Sequence, residues 1–279
     1  MNTNYTANRP PLAPGAYVGL PLGAVKPRGW LRRQLQLQAD GLPGHVHADF
    51  EARSWDIMYW EGGMVGLAYL LDDPRLLRLA RERVDRRLAS RPISLWSHEI
   101  RHAMRYLVEY QEASGDARVI PWMLDYYLRV RDQPPPPPNV NWLWSCNSEH
   151  LVALWWLYNR TGEAALLRLA ERWLRPEVRG MAEYFLEFPS RAKWKTYEGF
   201  ETTHGVDIAQ KIKYPGLYHC LDPDPRFREA VFRGIAGLDL IYGQAGGRYT
   251  AHEHRSQDCG GSCKHLFIAP RSVHGPAVP

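Results

Sequence analysis

Four stretches of this chain repeat one plan: an apolar run, a short turn holding an acidic residue, then an amphipathic run rich in arginine. The first joins residues 64–71 to 75–80 through Asp72, Asp73 and Pro74. The second joins 104–110 to 117–123 through Ser114, Gly115 and Asp116. The third joins 151–158 to 164–170 through Thr161, Gly162 and Glu163. The fourth joins 208–220 to 226–231 through Asp222, Pro223, Asp224 and Pro225. The equivalent acids, Asp73, Asp116, Glu163 and Asp224, lie 43, 47 and 61 residues apart. Repeats of this length mean stacked helix pairs, since one pair cannot bury its own apolar face. The turns carry suitable chemistry: Gly or Asp-Pro stops one helix, and an acid starts the next near its positive pole.

In each pair the first helix is more apolar and aromatic, which places it on an inner ring with the arginine-rich second helix outside. An open α-solenoid and a closed α/α barrel both fit this pattern. Long joins at 132–146, with five consecutive prolines from Pro134 to Pro138, and at 187–205 favour the barrel, where such loops form the rim of a site. The expected fold is therefore all-α: an incomplete (α/α) toroid of helix hairpins with about four of six pairs. Residues 1–20, with Pro10, Pro11 and Pro14, read as an extended N-terminal arm. A first helix follows Pro27, with apolar residues at 31 and 35, and stops between Gly41 and Gly44. The partial barrel spans 21–254, and 255–279, without periodicity, reads as an irregular tail.

The net charge of +5 comes from arginines interleaved with acids, the pattern of solvated helix faces rather than of a nucleic-acid surface. Four cysteines, Cys146, Cys220, Cys259 and Cys263, are too sparse for a disulfide scaffold. Residues 1–14 lack the basic start and apolar run of a signal peptide, and no stretch is long and apolar enough to span a bilayer. The expectation is a cytoplasmic protein with no membrane and no nucleic-acid partner.

Polar and aromatic residues gather where each inner helix begins. Trp55, Asp56, Tyr59, Trp60 and Glu61 precede the first, and His98, Glu99 and His102 the second. Trp142, Trp144, Asn147, Glu149 and His150 precede the third, and Glu198, Glu201, His204 and Asp207 the fourth. Any one of them reads as a cap, a helix-end charge or a satisfied core histidine. Recurrence at matched positions in four repeats points instead to a cleft at one mouth of a toroid. Aromatics make up 12% of the chain, with 11 Trp and 15 Tyr, and such rings stack on sugar faces. Cleaving a glycoside requires an acid for the leaving oxygen, and Glu253, between His252 and His254 after the fourth hairpin, is the candidate. Cys259 and Cys263, with His254 and His265, spell a zinc knuckle on paper; a reduced, irregular tail is the plainer reading.

Several of these segments resemble the β-L-arabinofuranosidases of glycoside hydrolase family 127. They are residues 25–31 with 38–42, 67–73, 156–162, and 203–210 followed by Lys213, Tyr214 and Pro215, matching in order between 18 and 254. The resemblance implies an (α/α)6 barrel followed by β-sandwich domains. It implies a retaining exo-glycosidase with a glutamate acid/base and a cysteine nucleophile held as thiolate by zinc. Glu253 matches the acid/base and His204 a substrate-contacting histidine; His102 and Asn147 fall near other sugar-contacting positions, with Trp60 and Trp144 as further substrate-binding candidates. The implied zinc ligands, a Glu-x-Cys motif and a later adjacent cysteine pair, do not occur after Glu253 in this sequence. The expectation is a truncated member of the family that binds an oligosaccharide or glycoside and hydrolyses it weakly or not at all. A non-catalytic carbohydrate-binding remnant, an α-solenoid interaction scaffold and an α/α-barrel sugar epimerase using His102 and His204 are the alternatives. An open barrel edge would also expose apolar helix faces and favour self-association.

Overall fold

The computed structural model describes residues 8–15, 18–45, 56–92, 98–134, 149–187, 208–209, 211–244, 248–251 and 265–268. The described chain is predominantly helical: α1 (Gly29–Asp40), α2 (Asp56–Leu71), α3 (Pro74–Ala89), α4 (His98–Ser114), α5 (Val119–Val130), α6 (Glu149–Thr161), α7 (Ala164–Leu186), α8 (Tyr214–Tyr218) and α9 (Pro225–Tyr242). It divides into two compact units, Met1–Pro135 with Glu149–Arg172, and Pro136–Ser148 with Trp173–Pro279. The chain passes from one unit to the other within α7, four residues before Pro176, whose missing N–H removes one helical hydrogen bond.

The repeated turns explain why the hairpins form. Asp72, Gly115 and Gly162 each take a left-handed conformation, with φ of 55°, 70° and 73°, and stop the preceding helix. The next residue is in each case an acid, which accepts from a backbone amide where the following helix begins. Asp73 Oδ1 accepts from the Arg75 and Leu76 amides at 2.9 and 3.1 Å. Asp116 accepts from the Arg118 amide at 3.0 Å, and Glu163 from the Ala165 amide at 2.9 Å. Asp224 does the same for Arg226 at 2.9 Å in the second unit. Each acid satisfies a donor that the first helical turn would leave orphaned.

Asp116 also holds the Arg118 side chain, and these hydrogen bonds draw its carboxyl pKa from 3.8 to about 2. A depressed carboxyl adds stability that is fully present above its unfolded pKa and disappears as pH falls through about 2. Arg118 is exposed, so solvent screening keeps the pair's contribution small. Asp116→Asn, which keeps a side-chain oxygen, is expected to lower stability slightly at pH 6. Urea denaturation of both proteins at falling pH should show the difference closing between pH 4 and pH 2. A difference that does not vary with pH would remove the charge from the account.

In the first unit the inner helices lie side by side and parallel. Glu61 of α2 hydrogen-bonds Tyr106 of α4, and one to two turns on Tyr69 meets Tyr110 edge-to-face, with ring centroids 6.1 Å apart. Between α4 and α6, Arg105 lies 4.0 Å from Glu149, and further along Glu112 accepts from Trp156 at 2.8 Å and Arg160 at 3.1 Å. Position rises together on both partners, as parallel helices require. Each outer helix runs back beside them: α3 meets α5 through Asp85 and Arg118, 2.7 Å apart, and α5 meets the start of α6 through Tyr127 and His150, 2.9 Å apart. Ten residues of α6 are buried, from Glu149 to Asn159, which matches its expected inner place. The N-terminal arm docks here too. Leu12 is buried, the Arg9 amide donates to Asn159 at 2.8 Å, and Tyr158 donates to the Pro10 carbonyl.

In the second unit, α7 from Trp173 onward packs on α9. A side chain at Gly234 would come within 2.7 Å of the Phe185 ring, and Arg233 donates to the Leu186 carbonyl at 2.7 Å. Tyr218 of α8 meets Phe227 of α9 edge-to-face. A small antiparallel sheet follows α9: β1 (Gly243–Gln244), β2 (Arg248–Ala251) and β3 (His265–Ile268), in that order, with Tyr249 opposite Phe267. This sheet is a minor addition to a predominantly helical chain, as the all-α expectation had it, and β3 lies within 255–279. Alternation alone does not single out a four-residue strand; its partner in space does.

Candidate functional site

Of the six residues singled out from the sequence as catalytic or substrate-binding, Trp60 and His102 lie among the described residues. Glu253, Asn147, His204 and Trp144 lie outside them. Trp60 stands in the first half of α2 and His102 in the first half of α4, so the two occupy the same end of adjacent parallel helices. Both are part-buried. The Trp60 indole N–H donates to the Pro43 carbonyl, and the Arg83 guanidinium lies 5.2 Å from its ring centroid. Those contacts commit the N–H and one ring face to the fold, which reduces what Trp60 can offer a sugar.

Around these two residues the inner helices hold the buried polar groups of the first unit. Glu61, Arg101, Glu149, His150 and Asn159 are all under 9% exposed, and only Asn159 lies away from the N-terminal halves of α2, α4 and α6. Burying charge in this way is costly unless the charges compensate one another. Glu61 stands between Arg83, at 3.7 Å, and Arg87, at 4.0 Å, both on α3. Arg87 Nε also donates to the Tyr106 hydroxyl at 3.2 Å. Burial, reinforced by the Glu61 carboxylate, pushes the Tyr106 phenol well above its usual range, so it stays a donor. Desolvation lowers the Arg83 guanidinium, and the adjacent Arg86 adds to the effect.

On the α6 side, burial raises the Glu109 carboxyl, with Arg105 opposing the shift. The Tyr127 hydroxyl meets His150 Nδ1, and the two rings pack edge-to-face. Burial drives the Tyr127 phenol far up, so it stays protonated beside His150 Nδ1. His150 is therefore oriented by a hydrogen bond from behind, at the first turn of an inner helix. The sequence identified Glu61, Glu149 and His150 as members of the helix-start clusters. It did not identify Arg83, Arg87, Tyr106 or Tyr127, because each is drawn in from another helix. Arg101, one residue before His102, was also missed, since an arginine in an amphipathic helix reads as surface.

A zinc–thiolate centre, as the resemblance implies, needs several His, Cys, Asp or Glu side chains gathered around one point. No three His, Cys, Asp or Glu side chains gather as a metal site among the described residues. Cys220 is part-buried, and its Sγ faces the Gly216 carbonyl at 4.0 Å. Cys146, Cys259 and Cys263 lie outside the described residues. The described residues do not fit a zinc–thiolate centre, and no step below is routed through one. No described helix is long and apolar enough to cross a membrane. No family model matches the chain, and no curated protein or solved structure matches it.

Proposed function

We propose that this chain is a carbohydrate-binding protein of the β-L-arabinofuranosidase type, its hairpins forming part of an incomplete (α/α) toroid. It takes non-reducing-end arabinofuranosyl or related sugars and turns them over weakly or not at all. The observation that supports this reading is the placement of polar and aromatic groups at one end of three parallel inner helices: Trp60 and Glu61 on α2, Arg101 and His102 on α4, and Glu149 and His150 on α6. Parallel inner helices also bring their positive poles to one end, where they favour oxygen-rich ligands. His102 contacts the sugar in this reading. The resemblance matches Glu253 to the acid/base, which makes it the proton donor should cleavage occur.

The test is calorimetric and fluorescence titration of the purified chain with β-L-arabinofuranosides. Saturable binding that quenches tryptophan emission is expected, weakened about tenfold or more by His102→Ala, a loss on the scale of one polar contact. Turnover of p-nitrophenyl β-L-arabinofuranoside is expected to be slight and to vanish in Glu253→Gln. Absence of saturable binding to any arabinofuranoside would remove this reading. A second reading, an α-hairpin interaction scaffold, is favoured by the way Glu61, Arg83, Arg87 and Tyr106 satisfy one another internally, as structural charges do. It foresees sugar-independent behaviour and no effect of His102→Ala on any small ligand.

A further inference from the structure

The helix α1 is amphipathic the wrong way round. Its buried residue is Ala39, and at 100° per residue Trp30 and Leu37 fall on the opposite side of the helix. Trp30 is 76% exposed and Leu37 57%. The orientation is not a loose one. Arg75 donates to the carbonyls of Ala39 and Gly44 at 2.8 and 2.6 Å, Lys26 pairs with Asp72 at 2.7 Å, and Trp60 holds Pro43. Of the nine exposed large hydrophobic residues among those described, seven fall between Val18 and Leu42. Scattered exposed leucines are ordinary, but a fixed helix that turns its Trp outward is a surface awaiting an occupant.

We propose that the occupant is a second copy of this chain, docked through α1 against α1 in antiparallel, two-fold symmetric fashion. Two observations select it. The first is the pattern of exposed apolar positions. Val25, Trp30, Leu37 and Leu42 are symmetric about the midpoint between Arg33 and Gln34. Within α1, Trp30 and Leu37 share one side, so that, turned end for end, Trp30 lies against the other copy's Leu37. Such self-complementarity is what a two-fold interface requires.

The second is charge. The N-terminal end of α1 has no side-chain cap and no acid in its first turn, and it carries Arg28, Arg32 and Arg33. The C-terminal end has no basic residue in its last turn and carries Asp40. Each end adds to the helix dipole instead of opposing it, an arrangement unfavourable in a lone helix. Antiparallel pairing sets the basic end of one copy beside the acidic end of the other and relieves both.

The experiment is sedimentation velocity with light scattering on the full chain across a micromolar concentration series. A concentration-dependent monomer–dimer equilibrium is expected. Trp30→Glu with Leu37→Glu should weaken it by at least about tenfold, as loss of a central aromatic anchor does. Both side chains are exposed, so the helical circular dichroism should be unchanged. Arg28→Glu and Asp40→Arg should each weaken the dimer, and the two together should restore it. A chain that stays monomeric throughout overturns the proposal, as does open-ended growth beyond a dimer. So does a dimer that survives the Trp30 and Leu37 changes, or that dissociates instead on Phe232→Glu with Leu240→Glu. Failure of the charge swap to restore association overturns the antiparallel arrangement.

Discussion

Glu61→Ala is expected to remove about 3 kcal/mol of stability, the scale seen when one partner of a buried ion pair is deleted. The carboxylate is 9% exposed and stands beside two guanidiniums that are 16% and 13% exposed. Its distances to them, 3.7 and 4.0 Å, are long for charge-assisted hydrogen bonds, so the attraction to either one is moderate. The cost comes from what remains. Two arginines on α3 would share a mostly dry site with no carboxylate between them, and Arg83 already feels Arg86. Its approach to the Trp60 ring does not replace a full negative charge. Glu61→Gln keeps the shape and the hydrogen bond to Tyr106 and should cost less, which separates charge from packing. Urea denaturation of the three proteins at neutral pH measures both. A change within about 0.5 kcal/mol for Glu61→Ala, the size of an ordinary surface substitution, would mean that the site is wet. The same change should loosen the end of α2 that carries Trp60, so weaker sugar binding is expected alongside lower stability.

Gly44→Ala is expected to cost about 3 to 5 kcal/mol, in the range reserved for backbone clashes and broken buried networks. A Cβ there would lie 1.7 Å from the Ala39 carbonyl oxygen and 2.6 Å from its carbon. Both are backbone atoms, so no rotamer change relieves the overlap. Retreat is also blocked, because the Arg75 guanidinium grips the Gly44 and Ala39 carbonyls together. To fit a methyl group, the turn after α1 must part from the helix and forfeit at least one of these charge-assisted bonds. Gly63→Ala is the control: that glycine lies within α2 with nothing within 4 Å of its added Cβ, and the change should not destabilise. Thermal melting reports the loss, and hydrogen exchange along α1 locates it. Equal melting temperatures for the Gly44 and Gly63 variants would show that the close approach does not form.

The parts of the fold that were legible share one property, which is locality. Asp73, Asp116, Glu163 and Asp224 each bond an amide two or three residues away, so a reading of spacing and residue type located all four hairpin turns. The start of α1 after Pro27 and its end at Gly41 were legible for the same reason. The inner character of α6 followed from its unbroken apolar run. The helix-start clusters were visible because they recur at matched points of a repeat.

What was not legible depended on distance in sequence. The apolar residues at 31 and 35 do not mark the buried side of α1: the structure buries Ala39 and leaves Leu31 46% exposed. A helix of 12 residues with apolar groups on two sides has two ways to face, and Arg75, 36 residues from Ala39, decides between them. The arm reads as free extended chain, yet Asn159 and Tyr158, about 150 residues on, fix Asn8, Arg9 and Pro10. Arginines on α3 read as solvent-facing, and Arg83 and Arg87 are instead drawn in by Glu61, because a buried carboxylate costs more than the burial of the cations that neutralise it.

Most of the helices, their order and their turns were set locally, because capping, helical periodicity and glycine's left-handed turn act within four residues; the exception is the apolar run 208–220, expected as one helix, which shrinks to α8 (Tyr214–Tyr218). Contacts in space supplied the pairings that hold α2, α4 and α6 side by side. They also decided which charges are shared among three helices, and that α1 turns Trp30 outward. Those outcomes depend on contacts between residues dozens to more than a hundred positions apart, where burial free energy and charge neutralisation override what each segment prefers alone.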